Sequence, residues 1–268
     1  MIRYSYMIID QLSSFGDDDD IRRTLEFIKD CGYDGVELNL RDPPGIDLDR
    51  LQQWLGEIGL IVPSFLTGEA YKEGLCLCSP DPSIRQRAVQ RLIHYLDTAQ
   101  QFDAILVVGL LQGLQSDEGD IGVANERIAD CLRQVCTLAE TRSLELVVEP
   151  INHLQVGFHN SVAEVRRLVE EVGSPALKPM VDTIHMNVED PSLTQPILDC
   201  GANLRHVHLC ESNGALFGSG HIDFRTVLNT LNNIGYDGFA SAKVYRKTTL
   251  REAAPSSIQY LRSLELEN

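Results

Sequence analysis

Eight short runs of aliphatic and β-branched residues, each followed by a longer stretch whose apolar residues recur at three and four positions, leave this chain few ways to fold. The runs cover residues 2–9, 35–40, 60–67, 104–111, 144–150, 178–185, 204–210 and 239–245. Between them the helical period is plain in segments such as "DIRRTLEFIKDCG", "SIRQRAVQRLIHYLDTAQQF", "SVAEVRRLVEEVG" and "DFRTVLNTLNNIG", several of which close on the glycine that a helix C-cap favours. Eight strand–helix units in about 250 residues predict a single α/β domain over 1–268, a (β/α)8 barrel. An open doubly wound sheet is the alternative, but no glycine-rich dinucleotide turn follows the first run.

Composition narrows the partners. Thirty-nine acidic against 23 basic residues give a formal net charge of −16, which opposes binding to nucleic acid or to an anionic membrane surface. The acidic run 17–20 precedes a helical pattern and reads as N-terminal helix charge. Seven cysteines, with no repeated spacing of a zinc ribbon or a disulfide framework, suggest reduced thiols in a cytoplasmic protein. Cys76 and Cys78 alone are too few ligands to make a soft-metal site. The N-terminal stretch lacks the organisation of a secretory signal, and no stretch has the length of a membrane span. Two long irregular connections, 68–82 and 211–223, follow strand ends and are expected to overhang the active-site face, the first as a lid or substrate loop.

In a barrel of this kind the C-terminal strand ends carry the chemistry. Strand five ends in Glu149, followed by Asn152; strand six gives Asp182 and His185; strand seven gives His206, His208 and Glu211; strand eight gives Lys243. Side-chain alternation turns Glu149, Asp182, His206, His208 and Lys243 toward the barrel axis. Each residue alone has a bland reading, a satisfied core histidine or a helix-capping carboxylate. Two carboxylates and an imidazole converging from adjacent strands instead suit a divalent cation such as Mn2+, Mg2+, Co2+ or Zn2+.

The stretches "EPIN" at 149–152, "VDTIHMNVED" at 181–190 and "HVHLCESNGALFGSGHIDF" at 206–224 resemble the xylose-isomerase-like TIM barrels, the group of sugar isomerases and epimerases that includes D-tagatose and D-psicose 3-epimerases and hydroxypyruvate isomerase. The resemblance runs from "GYDGVELNL" at 32–40 to "GYDGFASAKVY" at 235–245. It implies that Glu149, Asp182 and His208 ligate a divalent metal, Mn2+ foremost, and that Glu149 is also a catalytic acid/base. It further implies that His185 contacts a substrate oxygen and that Glu37 lines the pocket or is structural. The implied activity is proton abstraction next to the carbonyl of a keto-sugar or sugar phosphate, through an enediolate, in a kind of barrel that often assembles as a homo-oligomer.

Two positions depart from the epimerase pattern. Its fourth carboxylate is replaced by Lys243, and its arginine six residues beyond the metal histidine is replaced by Gly214. Three consequences compete. The metal keeps three protein ligands and fills its open positions with water, substrate or Glu211; or Lys243 is held neutral as a base; or the metal is lost and Lys243 supplies the positive charge. With Glu149 and Lys243 on strands five and eight, they are expected on opposite faces of the bound sugar, with Glu211, Asn152, His185 and Glu37 as substrate contacts. A lyase or dehydratase acting on a keto-sugar, and a sugar-binding barrel without turnover, are the rival functions.

Overall fold

The computed structural model describes residues 2–42, 44–246 and 248–266. Eight parallel strands close on themselves in sequence order: β1 Arg3–Met7, β2 Gly35–Asn39, β3 Ser64–Leu66, β4 Ile105–Val108, β5 Leu146–Val148, β6 Leu177–Asp182, β7 His206–Leu209 and β8 Phe239–Ala242. Closure is made by β1 against β8, with Ser5 level with Ser241 and Tyr6 level with Ala242. Inside the barrel those two serine hydroxyls meet at 2.5 Å.

Around the barrel run α1 Asp18–Cys31, α2 Leu48–Ile58, α3 Glu69–Lys72, α4 Pro82–Phe102, α5 Ile121–Thr141, α6 Val162–Val172, α7 Thr183–Glu189, α8 Gln195–Cys200, α9 Phe224–Asn233 and α10 Leu250–Leu266. The starts of the long helices are written locally. Asp17 and Ser161 form capping boxes with Asp20 and Glu164, while Asp47, Asp81, Asp120 and Asp223 each accept a first-turn N–H.

Strand parity sorts the core into two parts. Leu106, Val108, Leu146, Val148, Val181, Val207 and Leu209 face the helices in one large cluster, whereas Ile105, Val107, Val147 and Met180 form a small cluster within the barrel. The parity that buries Val147 and Met180 inside also turns Glu149 and Asp182 inward, two residues further on.

One expectation about elements needs correction. The run 178–185 is not strand throughout: β6 stops at Asp182, whose Oδ1 accepts the Ile184 N–H at 3.0 Å and starts α7. Helix α10 supplies the helix expected after the eighth strand and carries Pro255 inside it.

Candidate active site

At the C-terminal end of the strands lies a cavity of about 290 Å³. Glu149, His185, His208 and Lys243 stand at its polar end; Met7, Leu66, Val107 and Leu110 are among its apolar walls. Glu149, Asp182 and His208 bring ligand atoms to within 4.8 Å of one another, and all three are buried. His208 Nδ1 is 3.0 Å from Glu149 Oε1 and 3.5 Å from Asp182 Oδ2. Its other nitrogen, Nε2, is 3.1 Å from Glu37 Oε1.

Glu37 is fully buried and is not among the residues lining the cavity, which favours the structural one of its two expected roles. Its Oε1 accepts from Ser64 Oγ, from His206 Nε2 at 2.8 Å and from His208 Nε2. Glu37 therefore fixes the orientation of His208 from below. Burial disfavours the charged form of that carboxyl, but His208 and His206 outweigh it and hold Glu37 well below the usual range. Burial likewise opposes charge on His208, and Glu37 and Glu149 on its two sides raise it well above its ordinary value.

Lys243 follows the last residue of β8 and reaches the cluster as parity requires. Its Nζ is 2.7 Å from Asp182 Oδ2, 3.2 Å from Glu149 Oε1 and 3.5 Å from His185 Nε2. Two carboxylates bracketing the amine decide its charge. Burial lowers the pKa, Asp182 and Glu149 raise it more, and the group stays an ammonium well above its normal range. Between these two carboxylates the amine favours its charged form, which weighs against the reading of Lys243 as a neutral base. Glu149 and Lys243 are hydrogen-bonded neighbours, so a sugar held between them on opposite faces has to part this pair. Burial pushes the Glu149 carboxyl up, yet Lys243 and His208 overcome it and bring it down to about 2.

His185 sits one turn into α7 rather than at a strand end, and its Nε2 lies 3.7 Å from Asp182 Oδ2 and 3.9 Å from Glu149 Oε1. Asn152 stands behind it. Its Oδ1 accepts the Leu154 N–H at 3.2 Å, so its amide NH2 is the group that meets His185 Nδ1 at 2.8 Å. The imidazole is then neutral, with its proton on Nε2 facing the carboxylates. Asn152, expected as a substrate contact, instead orients His185 and does not line the cavity.

Glu211 is also corrected. It is buried, and its two oxygens accept the backbone N–H groups of Ser212 at 2.8 Å, Ile222 at 3.0 Å and Gly218 at 3.0 Å. The carboxylate holds the 211–223 connection together and is not a spare metal ligand; nor does that connection contribute to the cavity lining. In the 68–82 connection, by contrast, Gly68, Glu69 and Lys72 do form a wall. Gly214 has a φ of +69°, and a Cβ there would stand 2.6 Å from Tyr245 Cζ. The Tyr245 ring, itself part of the cavity wall, thus blocks a side chain at 214.

Sequence reading missed the supports of Glu149. A Cβ at Gly109 would lie 2.6 Å from Glu149 Oε2, so that glycine makes room for the carboxylate. Gln112 donates from Nε2 to the Glu149 carbonyl at 3.3 Å, and its Oε1 accepts from His159 Nδ1 at 2.9 Å. The visible signal was "GLLQG" at 109–113, a polar residue between glycines just past a strand.

A parallel eight-stranded barrel whose ionisable strand-end residues converge over a cavity defines a (β/α)8 enzyme. The chain belongs to the xylose isomerase-like TIM barrel family, whose model matches residues 25–264. It is a sugar isomerase/epimerase by that kinship. A D-psicose 3-epimerase of Ruminiclostridium cellulolyticum is 30% identical over 230 residues, covering 82% of this chain and 76% of its own. A ketose 3-epimerase of Arthrobacter globiformis is 28% identical over 226 residues, covering 83% and 76% respectively. A solved L-ribulose 3-epimerase structure superposes with a TM-score of 0.86 at 22% identity, covering 100% of this chain and 97% of its own.

The donor chemistry fits the divalent cation that this family implies. Glu149 and Asp182 supply hard oxygens, His208 presents Nδ1, and the Glu37 carboxylate on His208 Nε2 is the outer partner that metal-bound imidazoles usually have. Such a cation would share both carboxylates with the Lys243 ammonium.

Proposed function

We propose that the chain epimerises a neutral keto-sugar at the carbon next to its carbonyl, with Glu149 removing the proton. The observation that carries this reading is the placement of an ionised Glu149 beside Asp182, His208 and Lys243 at the polar end of the cavity. A divalent cation on Glu149, Asp182 and His208, Mn2+ in this proposal, would supply electrostatic stabilisation to the enediolate oxygens. His185 contributes a neutral Nε2–H donor to a substrate oxygen. Lys243, an ammonium with protons to give, returns the proton from the other face once the sugar has parted it from Glu149; its four-carbon stem has the reach and freedom for that movement.

A neutral substrate is favoured by charge. The acidic and basic lining residues are Glu69, Lys72, Glu149, His185, His208 and Lys243, and both lysines are already paired with carboxylates. No arginine lines the cavity among the described residues, so a phosphate would find no uncommitted cation. The apolar walls suit the C–H face of a sugar. The proposal also takes the enzyme to be cytoplasmic, with a carbohydrate and neither nucleic acid nor membrane as its partner, and acting as a homo-oligomer.

The test is solvent deuterium exchange into a panel of ketoses in D2O, followed by NMR. The parent should label the carbon next to the carbonyl and form the epimer, and Glu149→Gln should slow labelling by about 10²–10⁴-fold. Lys243→Met should still label the starting ketose but form little epimer. An unsaturated product would replace the proposal with elimination, for which the Lys243 ammonium is an apt donor to a leaving group; binding without exchange would make the barrel non-catalytic.

A further inference from the structure

Away from the catalytic cluster, two thiols and a carboxylate meet where the connection after β3 packs against the connection after β4. Cys76 and Cys78 are buried, with their sulfurs 3.3 Å apart. The spacing of two in sequence gave only a pair; the fold adds Asp117, whose Oδ2 is 3.7 Å from Cys76 Sγ. One ligand atom from each of the three lies within 4.8 Å of the other two. The main-chain carbonyl of Gln112 is 3.8 Å from Cys76 Sγ.

Several features hold this group in place. Leu114 N–H and Tyr71 O–H each donate to Asp117 Oδ2 at 2.8 Å, which aims the carboxylate at the sulfurs. Gly113, with φ +110°, leaves the space they occupy: a Cβ there would stand 2.5 Å from both. Arg127, ion-paired with Glu118, donates to the Cys78 carbonyl at 3.2 Å and fixes the backbone there.

We propose that Cys76, Cys78 and Asp117 form a structural site for a borderline-soft divalent cation of the zinc class, independent of the barrel-mouth cluster. Thiolates select such ions over Mg2+ or Mn2+. Bonds of about 2.3 Å to sulfur and about 2.0–2.2 Å to a carboxylate oxygen bring both sulfurs and Asp117 within reach of one ion after small side-chain adjustments. On binding, each thiol gives its proton to solvent, and two thiolates and one carboxylate meet the 2+ charge. The ion clips together two connections that both wall the cavity, one through Gly68, Glu69 and Lys72, the other through Gly109 and Leu110. Its role is to hold the shape of that wall.

Cobalt separates this site from the mouth cluster, because only thiolate ligands give an intense sulfur-to-cobalt charge-transfer band in the near ultraviolet. Parent protein, fully reduced and freed of metal by chelator, is titrated with Co2+ beside Cys76→Ser, Cys78→Ser, Asp117→Asn and Glu149→Gln. The proposal expects a stoichiometric band in the parent and in Glu149→Gln, its loss in both serine variants, and at least tenfold weaker binding in Asp117→Asn. Zn2+ should bleach the band and raise the Tm of Glu149→Gln by more than that of the double variant Glu149→Gln/Cys78→Ser. A parent that takes up cobalt without the band, or none at all while thiol titration finds every cysteine reduced, overturns it. So does protein in which Cys76 and Cys78 pair as a disulfide and which, once reduced, still refuses the metal.

Discussion

Glu149 owes its position to a neighbour with no side chain. Gly109 closes the turn after β4, and its α-hydrogen faces the Glu149 carboxylate where a methyl group would stand 2.6 Å from Oε2 and 2.8 Å from Ile151 Cδ1. Gly109→Ala should leave a folded barrel but push Glu149 off its present contacts with His208 and Lys243. Deuterium exchange should fall by about 10²-fold, the usual consequence of displacing a catalytic group by about 1 Å, with circular dichroism unchanged. Full exchange activity in that variant would mean that the carboxylate works from elsewhere. At the same scale, strand parity identified Glu149, Asp182, His208 and Lys243 as inward-facing from the sequence. Glu37, Asn152 and Glu211 were assigned to the substrate because a polar residue near a strand end looks alike whether it meets a ligand, an imidazole or three backbone N–H groups.

At the scale of elements, the segment joining β5 to α6 supports the site through His159. This residue has a left-handed φ of +50° and is buried, and through Gln112 it reaches the Glu149 backbone. Burial lowers its pKa from 6.5 to about 4. An unfolded chain takes up that proton first as the solution is acidified, so the stability held above pH 6.5 is lost as the pH falls from there through about 4. Asn tolerates the left-handed backbone and does not titrate. His159→Asn should therefore flatten the pH dependence of urea unfolding over that window relative to the parent; parallel curves would mean that His159 takes up its proton as readily in the folded chain as in the unfolded one. The start of α7 was read as strand for a physical reason. The apolar residues of "TIHM" continue the β6 pattern until the capping bond from Asp182 to Ile184 redirects the chain.

For the whole molecule, closure is the event that makes the site, since β5, β6, β7 and β8 each contribute one member of the cluster. The ring is fastened on its outside as well as by the β1–β8 pairing. Tyr33, fully buried after α1, donates its hydroxyl to the Ala254 carbonyl of α10 at 3.0 Å, a bond spanning 221 positions. Tyr33→Phe removes the donor while keeping the ring, and should lower unfolding stability by about 0.5–1.5 kcal/mol in urea titrations, with activity retained. No change would assign the fastening to ring packing alone.

The amino-acid order by itself determined the eight strand–helix units, their parallel closure and the inward parity of the barrel-mouth residues, because periodicities of two and of 3.6 are local properties of the chain. It also carried the family, through short motifs at the right strand ends. Tertiary structure alone decided what those inward groups touch. It joined Lys243 to Glu149 across 94 positions and to Asp182 across 61, making the lysine an ammonium rather than a base. It withdrew Glu211 into its own loop and brought Asp117 to Cys76 and Cys78. The physical reason is that charge state and ligand sets depend on distances of a few ångströms between residues far apart in sequence, and only the closed barrel fixes those distances.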